Sequence, residues 1–340
     1  MTASLSALLD DNNRWLAPMA GVGDPIFRSL CRAEGAGLTC TEMISAKGLF
    51  YGDRHTADLL ALAPGERSCA VQLFGADPRL VALQARRVEE AWGDALALVD
   101  INMGCPVPKV TKKGEGAALM KTPDLAARIV SAVRAAVSVP VTAKIRSGWS
   151  ADDISAPRLA TRLADAGANA VCVHGRTATQ GYAGNSDPEP IARCVEAVPV
   201  PVLASGDLFS RDDIERVLAA TGAAGVLVAR GALGNPWIFG THVPTPRDRV
   251  DKALEHARGL YALSGRRGLK RMRKHLGFYL VGFPHAARVR ERSMHCETLP
   301  ELEELLASTR DRLDEMKLDA RGGTGARCGR HSAQDEEDQS

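Results

Sequence analysis

None of the eight cysteines forms a C-x-x-C pair, and no Cys/His spacing resembles a zinc site. They read as reduced thiols, several of them inside apolar runs. No apolar stretch approaches the length of a membrane span. Met1 to Asp10 lacks the basic region and long apolar core of a signal peptide. A cytoplasmic protein without membrane or metal is expected. Charge of one sign is also missing. Lys and Arg number 43 against 41 Asp and Glu, so the net charge of +2 argues for no partner and leaves only local patches to do so. Aromatics are scarce at 4%, while glycine is plentiful at 32, which suits many short strand–helix turns better than an all-β sandwich. A dinucleotide fingerprint is absent too, since Gly21-Val22-Gly23-Asp24-Pro25-Ile26 lacks the third glycine of G-x-G-x-x-G.

What the chain has, with 340 residues and 45% hydrophobic content, is enough for one large core and an appendage. Eight short apolar runs recur: Arg14–Met19, Leu38–Thr41, Ser68–Leu73, Ala95–Val99, Val139–Lys144, Ala170–His174, Pro201–Ser205 and Gly225–Val228. Helical stretches separate most of them. Proline at Pro25, Pro78 and Pro123 suits first helical turns, and Ser210-Arg211-Asp212-Asp213 has the Ser-x-x-acid form of a capping box. The pattern predicts a (β/α)₈ TIM barrel over 1–244, with an open doubly wound sheet as the alternative.

The C-terminal ends of these runs carry Pro18-Met19, Glu42, Gln72, Asn102, Lys144, His174, Ser205-Gly206-Asp207 and Ala229-Arg230-Gly231. In a barrel they meet at one rim, where barrel enzymes place their sites. Gly206, Gly231 and Arg230 suit a phosphate, with a short helix expected near Asn235-Pro236-Trp237. Gln72 and Asn102 offer donors and acceptors to a flat heterocycle, or cap strand ends. Lys144 is a rim cation or a salt-bridged lysine. Glu42 and Asp207 are candidates to pair with Lys144 or Arg230. His174 precedes a Gly175-Arg176 turn at the same rim. Cys105, held between Gly104 and Pro106 just past a strand end, is either a reactive thiol or a buried small hydrophobe.

After Thr245 the strand pattern stops. Leu254, Ala257, Leu260 and then Leu302, Leu305, Leu306 recur at helical spacing, so 245–318 reads as a small helical domain. Within it, Arg266 to Lys274 has six basic residues and no acidic one. Arg271, Arg273 and Lys274 belong to this run, which is either a solvated face or a nucleic-acid phosphate site. From 319 to 340 the Gly-rich and then acidic composition reads as a disordered tail.

Ala17-Pro18-Met19-Ala20-Gly21, Glu42-Met43, Val71-Gln72-Leu73-Phe74-Gly75, Asp100-Ile101-Asn102-Met103-Gly104-Cys105-Pro106, Lys144-Ile145-Arg146, His174-Gly175-Arg176-Thr177, Asn235-Pro236-Trp237 and Arg273-Lys274-His275-Leu276-Gly277 together resemble the tRNA-dihydrouridine synthases, the bacterial B-type branch in particular. The resemblance runs in order from about residue 14 to 310. It implies an FMN-dependent oxidoreductase, reduced by NADPH, that saturates a uridine in tRNA. By its pattern Pro18, Met19, Ala20, Gln72, Lys144, His174, Ser205, Gly206, Asp207, Ala229 and Arg230 would contact FMN. Cys105 would be the catalytic acid, and an ordinary thiol, with a pKa of about 8.5, is protonated at neutral pH as that role requires. Asn102 and Arg176, with Arg271, Arg273 and Lys274, are the expected substrate contacts. Ser205 and Ala229 depart from the family pattern, which often has Asn and Gly there. A monomer is expected. Two other functions fit parts of the pattern: a flavin barrel acting on a small molecule, like dihydroorotate dehydrogenase, and an RNA-binding protein that keeps the barrel as a scaffold.

Overall fold

The computed structural model describes residues 4–322. Eight strands run in chain order: β1 (Arg14–Leu16), β2 (Thr39–Ser45), β3 (Cys69–Phe74), β4 (Leu96–Asn102), β5 (Val141–Arg146), β6 (Ala170–His174), β7 (Val202–Ser205) and β8 (Gly225–Val228). All pairings are parallel, in the order β1-β8-β7-β6-β5-β4-β3-β2. The two ends of that order meet just before β2, where Gly37 N donates to Arg14 O (3.0 Å) and Leu16 N to Leu38 O (2.8 Å). The sheet thus returns on itself as a nearly closed barrel, the (β/α)₈ architecture expected, rather than an open doubly wound sheet. The seam needs glycine at 37, since a Cβ there would lie 1.9 Å from Asn12 O.

Helices Pro25–Ala33, Pro78–Trp92, Pro123–Ala136, Ala156–Asp165, Glu189–Ala197 and Arg211–Thr221 alternate with the strands. Their starts follow the local chemistry. Asp24 accepts from Phe27 N, Asp77 from Arg79 N and Leu80 N, and Ser210 with Asp213 forms the capping box. Outward strand residues such as Val71, Val99, Ile101 and Val173 pack under these helices. Alternate residues point inward, so Ala70, Leu98, Ala170, Cys172, Leu203 and Leu227 fill the barrel. Leu5 and Leu8 of a short helix, Leu5–Asp11, join Trp15 and Leu38 in that inner cluster and close one end of it. Seven residues are too few to show a helical period, and this element is not legible in the sequence.

The boundaries shift where backbone chemistry dictates. β1 ends at Leu16 because Pro18 has no N–H to extend a ladder. β2 continues to Ser45 with a register shift between Cys40 and Met43. The helix expected near Asn235 is a single 3₁₀ turn, Pro236–Phe239.

The chain divides into two compact units between Val243 and Pro244. The second unit has four helices among the described residues: Pro246–Ser264, Arg266–Tyr279, Ala286–His295 and Leu299–Gly322. Val250, Ala257 and Leu260 of the first, Leu269, Met272 and Leu276 of the second, and Leu302, Leu305 and Leu306 of the fourth are buried. The tail expected from 319 lies, from residue 323 on, outside the described residues.

One buried ion pair anchors the loop after β1. Arg28, 1% exposed, donates to both Glu66 carboxylate oxygens (2.7 and 2.9 Å), to Gly23 O (2.9 Å) and to Ala61 O (2.8 Å). Removing one partner strands a buried charge, so Glu66→Ala is expected to cost about 3–5 kcal/mol in denaturant unfolding. A loss below about 1 kcal/mol, the range of an exposed pair, would mean that water replaces the carboxylate.

Candidate active site

The strands end around a cavity of about 600 Å³. β4 delivers Asn102, and the chain then turns through Gly104, Cys105 and Pro106 along the cavity wall. Asn102 Oδ1 accepts from Gly104 N (3.2 Å) and Cys105 N (3.0 Å), an Asx-type cap that holds the turn. Ala117 N donates to Cys105 O (2.9 Å), and Arg146 Nε to Gly104 O (2.8 Å). Gly116, at φ 60°, packs behind the thiol, and a Cβ there would lie 2.7 Å from Cys105 O. The half-buried Cys105 side chain therefore has one exit, toward the cavity.

Asn102 is itself oriented from below. Its Nδ2 donates to Gln72 Oε1 (2.7 Å), Gln72 Nε2 donates to Asp100 Oδ2 (2.6 Å), and Thr142 Oγ1 donates to Asp100 Oδ1 (2.6 Å). An ionised carboxylate only accepts, so Asp100 dictates which way each amide in the series faces. The hydrogens left over on Gln72 and Asn102 are then N–H donors, suited to carbonyl oxygens of a flat ring. Burial pushes the Asp100 carboxyl up, opposed by the bonds from Gln72 and Thr142 and by the charge of Lys144.

The opposite wall is built for an anion. Asp207, at φ 52°, accepts from Arg176 Nη1 (2.8 Å), Arg176 Nη2 (2.7 Å), Ser186 N (2.9 Å) and Arg230 Nη2 (2.8 Å). Burial raises its carboxyl, but the Arg176 and Ser186 hydrogen bonds and the two guanidinium charges hold it below the ordinary range. Arg230 is half-exposed, between the rings of Tyr182 (5.4 Å) and Phe209 (5.1 Å). Among the described residues, the N–H groups of Gly206, Asp207, Arg230 and Gly231 donate to no protein acceptor. Such unpaired donors beside an arginine suit phosphate oxygens. Ser205 Oγ, by contrast, donates inward to Leu227 O (3.1 Å).

Between these walls stand Lys144 and His174. Burial, and then the charges of Lys144, Arg146, Arg176 and Arg230, push the His174 pKa down to about 2, so the ring is neutral near pH 7. Its Nε2 has no hydrogen-bond partner among the described residues. Pro18, Met19 and Ala20 complete the lining, with Ala229 beside Arg230. Glu42 fastens that first loop by accepting from Gly21 N (2.5 Å). The rim residues expected to hold a cofactor thus face one space.

Arg176, expected to hold a substrate base, stands behind the wall. It is 2% exposed and directs its donors at Asp207, Ala183 O and Gly184 O. Its guanidinium is directed at these oxygens, and the residue does not line the cavity. Two lining residues were not singled out in the sequence. Arg146 lies two positions after Lys144, the spacing that returns a strand residue to the same face. Tyr182 comes from the loop after β6, where no period marks it. In the C-terminal unit, Lys274 is exposed, while Arg271 and Arg273 are half-buried.

The His174 shift has a sign that can be measured. Its folded value lies below the ordinary 6.5, so the unfolded chain binds the proton more readily. Stability is full above about 6.5 and falls as pH drops below it. Without added ligand, the wild type is expected to lose about 1–2 kcal/mol more than His174→Gln between pH 7 and 5. Equal losses would place His174 in an ordinary solvated setting. Asp207, held low, enters only at more acid pH.

The dihydrouridine synthase (Dus) family model matches residues 15–315. The probable tRNA-dihydrouridine synthase 1 of Synechocystis sp. is 39% identical over 302 residues, covering 85% of this chain and 84% of that protein. The tRNA-dihydrouridine synthase B of Xanthomonas campestris pv. campestris is 41% identical over 313 residues, 88% of this chain and 92% of that protein. Its namesake in Pseudomonas putida is 39% identical over 294 residues, 83% and 86% of the two chains. Likeness at this level across the barrel and into the helical unit is a family relationship: the chain belongs to the dihydrouridine synthase family.

Proposed function

We propose that this protein is a tRNA-dihydrouridine synthase that uses FMN and NADPH to reduce the C5–C6 double bond of uridines in tRNA. The observation that carries the proposal is the pinned Cys105 turn facing, across one cavity, a neutral His174, Lys144 and two loops of unpaired backbone donors. Those features fit FMN. The Ser205-Gly206-Asp207 and Ala229-Arg230 loops would hold its phosphate, while Gln72, Lys144 and His174 would meet the polar edge of its ring. Pro18, Met19 and Ala20 would line its other side. When bound, FMN supplies the hydride that goes to C6 of the uracil.

The chain's own residues do the rest. Cys105 gives its Sγ proton to C5, so an S–H bond breaks as a C–H bond forms, and the thiolate regains a proton from solvent. The Asn102 cap fixes where that proton is offered. The remaining N–H of Asn102, with Tyr182 and the Arg146 Nη2 left over from bonds to Gly104 O, Thr177 O and Gly181 O, would hold carbonyl oxygens of the base. Arg176 acts through Asp207. To reach a rim the base must leave its stack, at about a few kcal/mol. Contacts from Arg271, Arg273 and Lys274 to tRNA phosphates would offset this cost. The same reading makes the protein a cytoplasmic monomer.

Cys105→Ala is expected to keep its flavin and the reduction of that flavin by NADPH. Dihydrouridine formation should fall by about 10²–10⁴, the usual worth of a general acid. Mass spectrometry of tRNA from a deletion strain complemented with each form reads this directly. Wild-type product yield from the variant would end the acid role.

A further inference from the structure

The basic residues of the run 266–274 share one face of helix Arg266–Tyr279. Arg266, Arg267, Lys270 and Lys274 are exposed, Leu269 and Met272 are buried on the opposite face, and Arg273 reaches back toward Cys296 O (3.5 Å). A different set of cations gathers on the third and fourth helices of the same unit. There a cavity of about 350 Å³ is lined by Arg288 and Arg292, Arg312, Thr309, and His285. Arg288 and Arg292 are four residues apart on helix Ala286–His295, and so share a face. Arg312 comes from helix Leu299–Gly322.

Among the described residues, no acidic side chain lines this space. Two acidic neighbours of Arg312 in the chain are turned elsewhere: Asp311 lies 3.8 Å from Arg310, and Asp314 pairs with Arg247. Three like charges around one hollow repel each other and favour an anion that spans them. Guanidinium forks match phosphate oxygens in shape as well as charge. The space exceeds a bare phosphate, and Val289 and Leu313 give it an apolar wall. Thr309 Oγ1 donates to Leu305 O (2.8 Å) and accepts from Arg312 Nη2 (3.3 Å), which braces that guanidinium at the cavity. A phosphodiester with an attached ribose fits this chemistry better than a free inorganic anion.

We propose that the Arg288–Arg292–Arg312 cavity is a seat for a backbone phosphate of tRNA, separate from the 266–274 run. This rests on tRNA being the substrate. The full-length protein carrying Arg288→Gln, Arg292→Gln and Arg312→Gln is expected to bind tRNA at least about tenfold more weakly. Its log K against log salt slope should shrink by about 0.7–0.9 for each phosphate that is no longer neutralised. A charge-matched control replaces Arg86, Arg193 and Arg216, exposed arginines paired with Glu90, Glu189 and Asp213 on the barrel. It should keep wild-type affinity.

Unchanged affinity and slope in the folded triple variant overturn the proposal. So do equal losses of affinity in both triples, which would mean bulk charge alone. So does tight binding of inorganic phosphate by calorimetry with no change in tRNA affinity. If the triple variant loses its circular-dichroism signal, Arg288→Gln and Arg312→Gln singly carry the same test, since both side chains are exposed. Wild-type protein that forms no dihydrouridine in tRNA would overturn the substrate reading instead. Wild-type turnover with an unaffected triple variant would overturn the cavity alone.

Discussion

Asp100 sets the polarity of the Cys105 side of the barrel. A buried carboxylate tolerates donors only, and Thr142 and Gln72 supply them at 2.6 Å each. That one restriction propagates through two amides to the N–H groups of Gly104 and Cys105. Side-chain amides can face either way at little intrinsic cost. Here a single charge removes the choice, so the thiol turn is fixed by chemistry deep in the barrel as well as by its own glycine and proline. The cost of burying the charge shows in the raised Asp100 carboxyl, and Lys144 at the rim partly offsets it.

The far wall solves a related problem with the signs reversed. Arg176 is almost fully buried and would be unstable alone, so Asp207 neutralises it and takes a second bond from Arg230. This leaves a net positive, partly exposed group beside unpaired backbone donors. Cation density at the cavity adds to burial in keeping His174 neutral. The two walls therefore offer different things to one ligand: directed donors on one side, positive charge on the other.

Much of this was legible in the residues. Eight apolar runs, nearly every one followed by a polar residue, were sufficient for the barrel and its rim, because strand period and strand ends are local properties. The Asn102–Cys105 turn was legible for the same reason. The partnership of Asn102 with Gln72 and Asp100 was not, since it joins residues 28 and 30 positions apart. Arg146 and Arg176 look alike in sequence, each an arginine just past a rim residue. Only the loop after β6 decides that Arg176 turns inward to Asp207 while Arg146 lines the cavity. The Arg288–Arg292–Arg312 hollow was hidden because its members sit on two helices. The run from 266 to 274 is legible because its residues are contiguous in the chain and share one helical face.

The helix Leu5–Asp11 has a kinetic consequence. By setting Leu5 and Leu8 against Trp15 and Leu38 it completes the packing that fills the barrel, so the cavity opens at the strand ends. Traffic through one mouth is sequential. On the proposed function, the nicotinamide that delivers electrons and the uracil that receives them would need the same approach. On that proposal each would vacate before the other enters, and the electrons would wait inside the protein between visits. Initial-rate plots against one reactant, drawn at several levels of the other, would run as parallel lines.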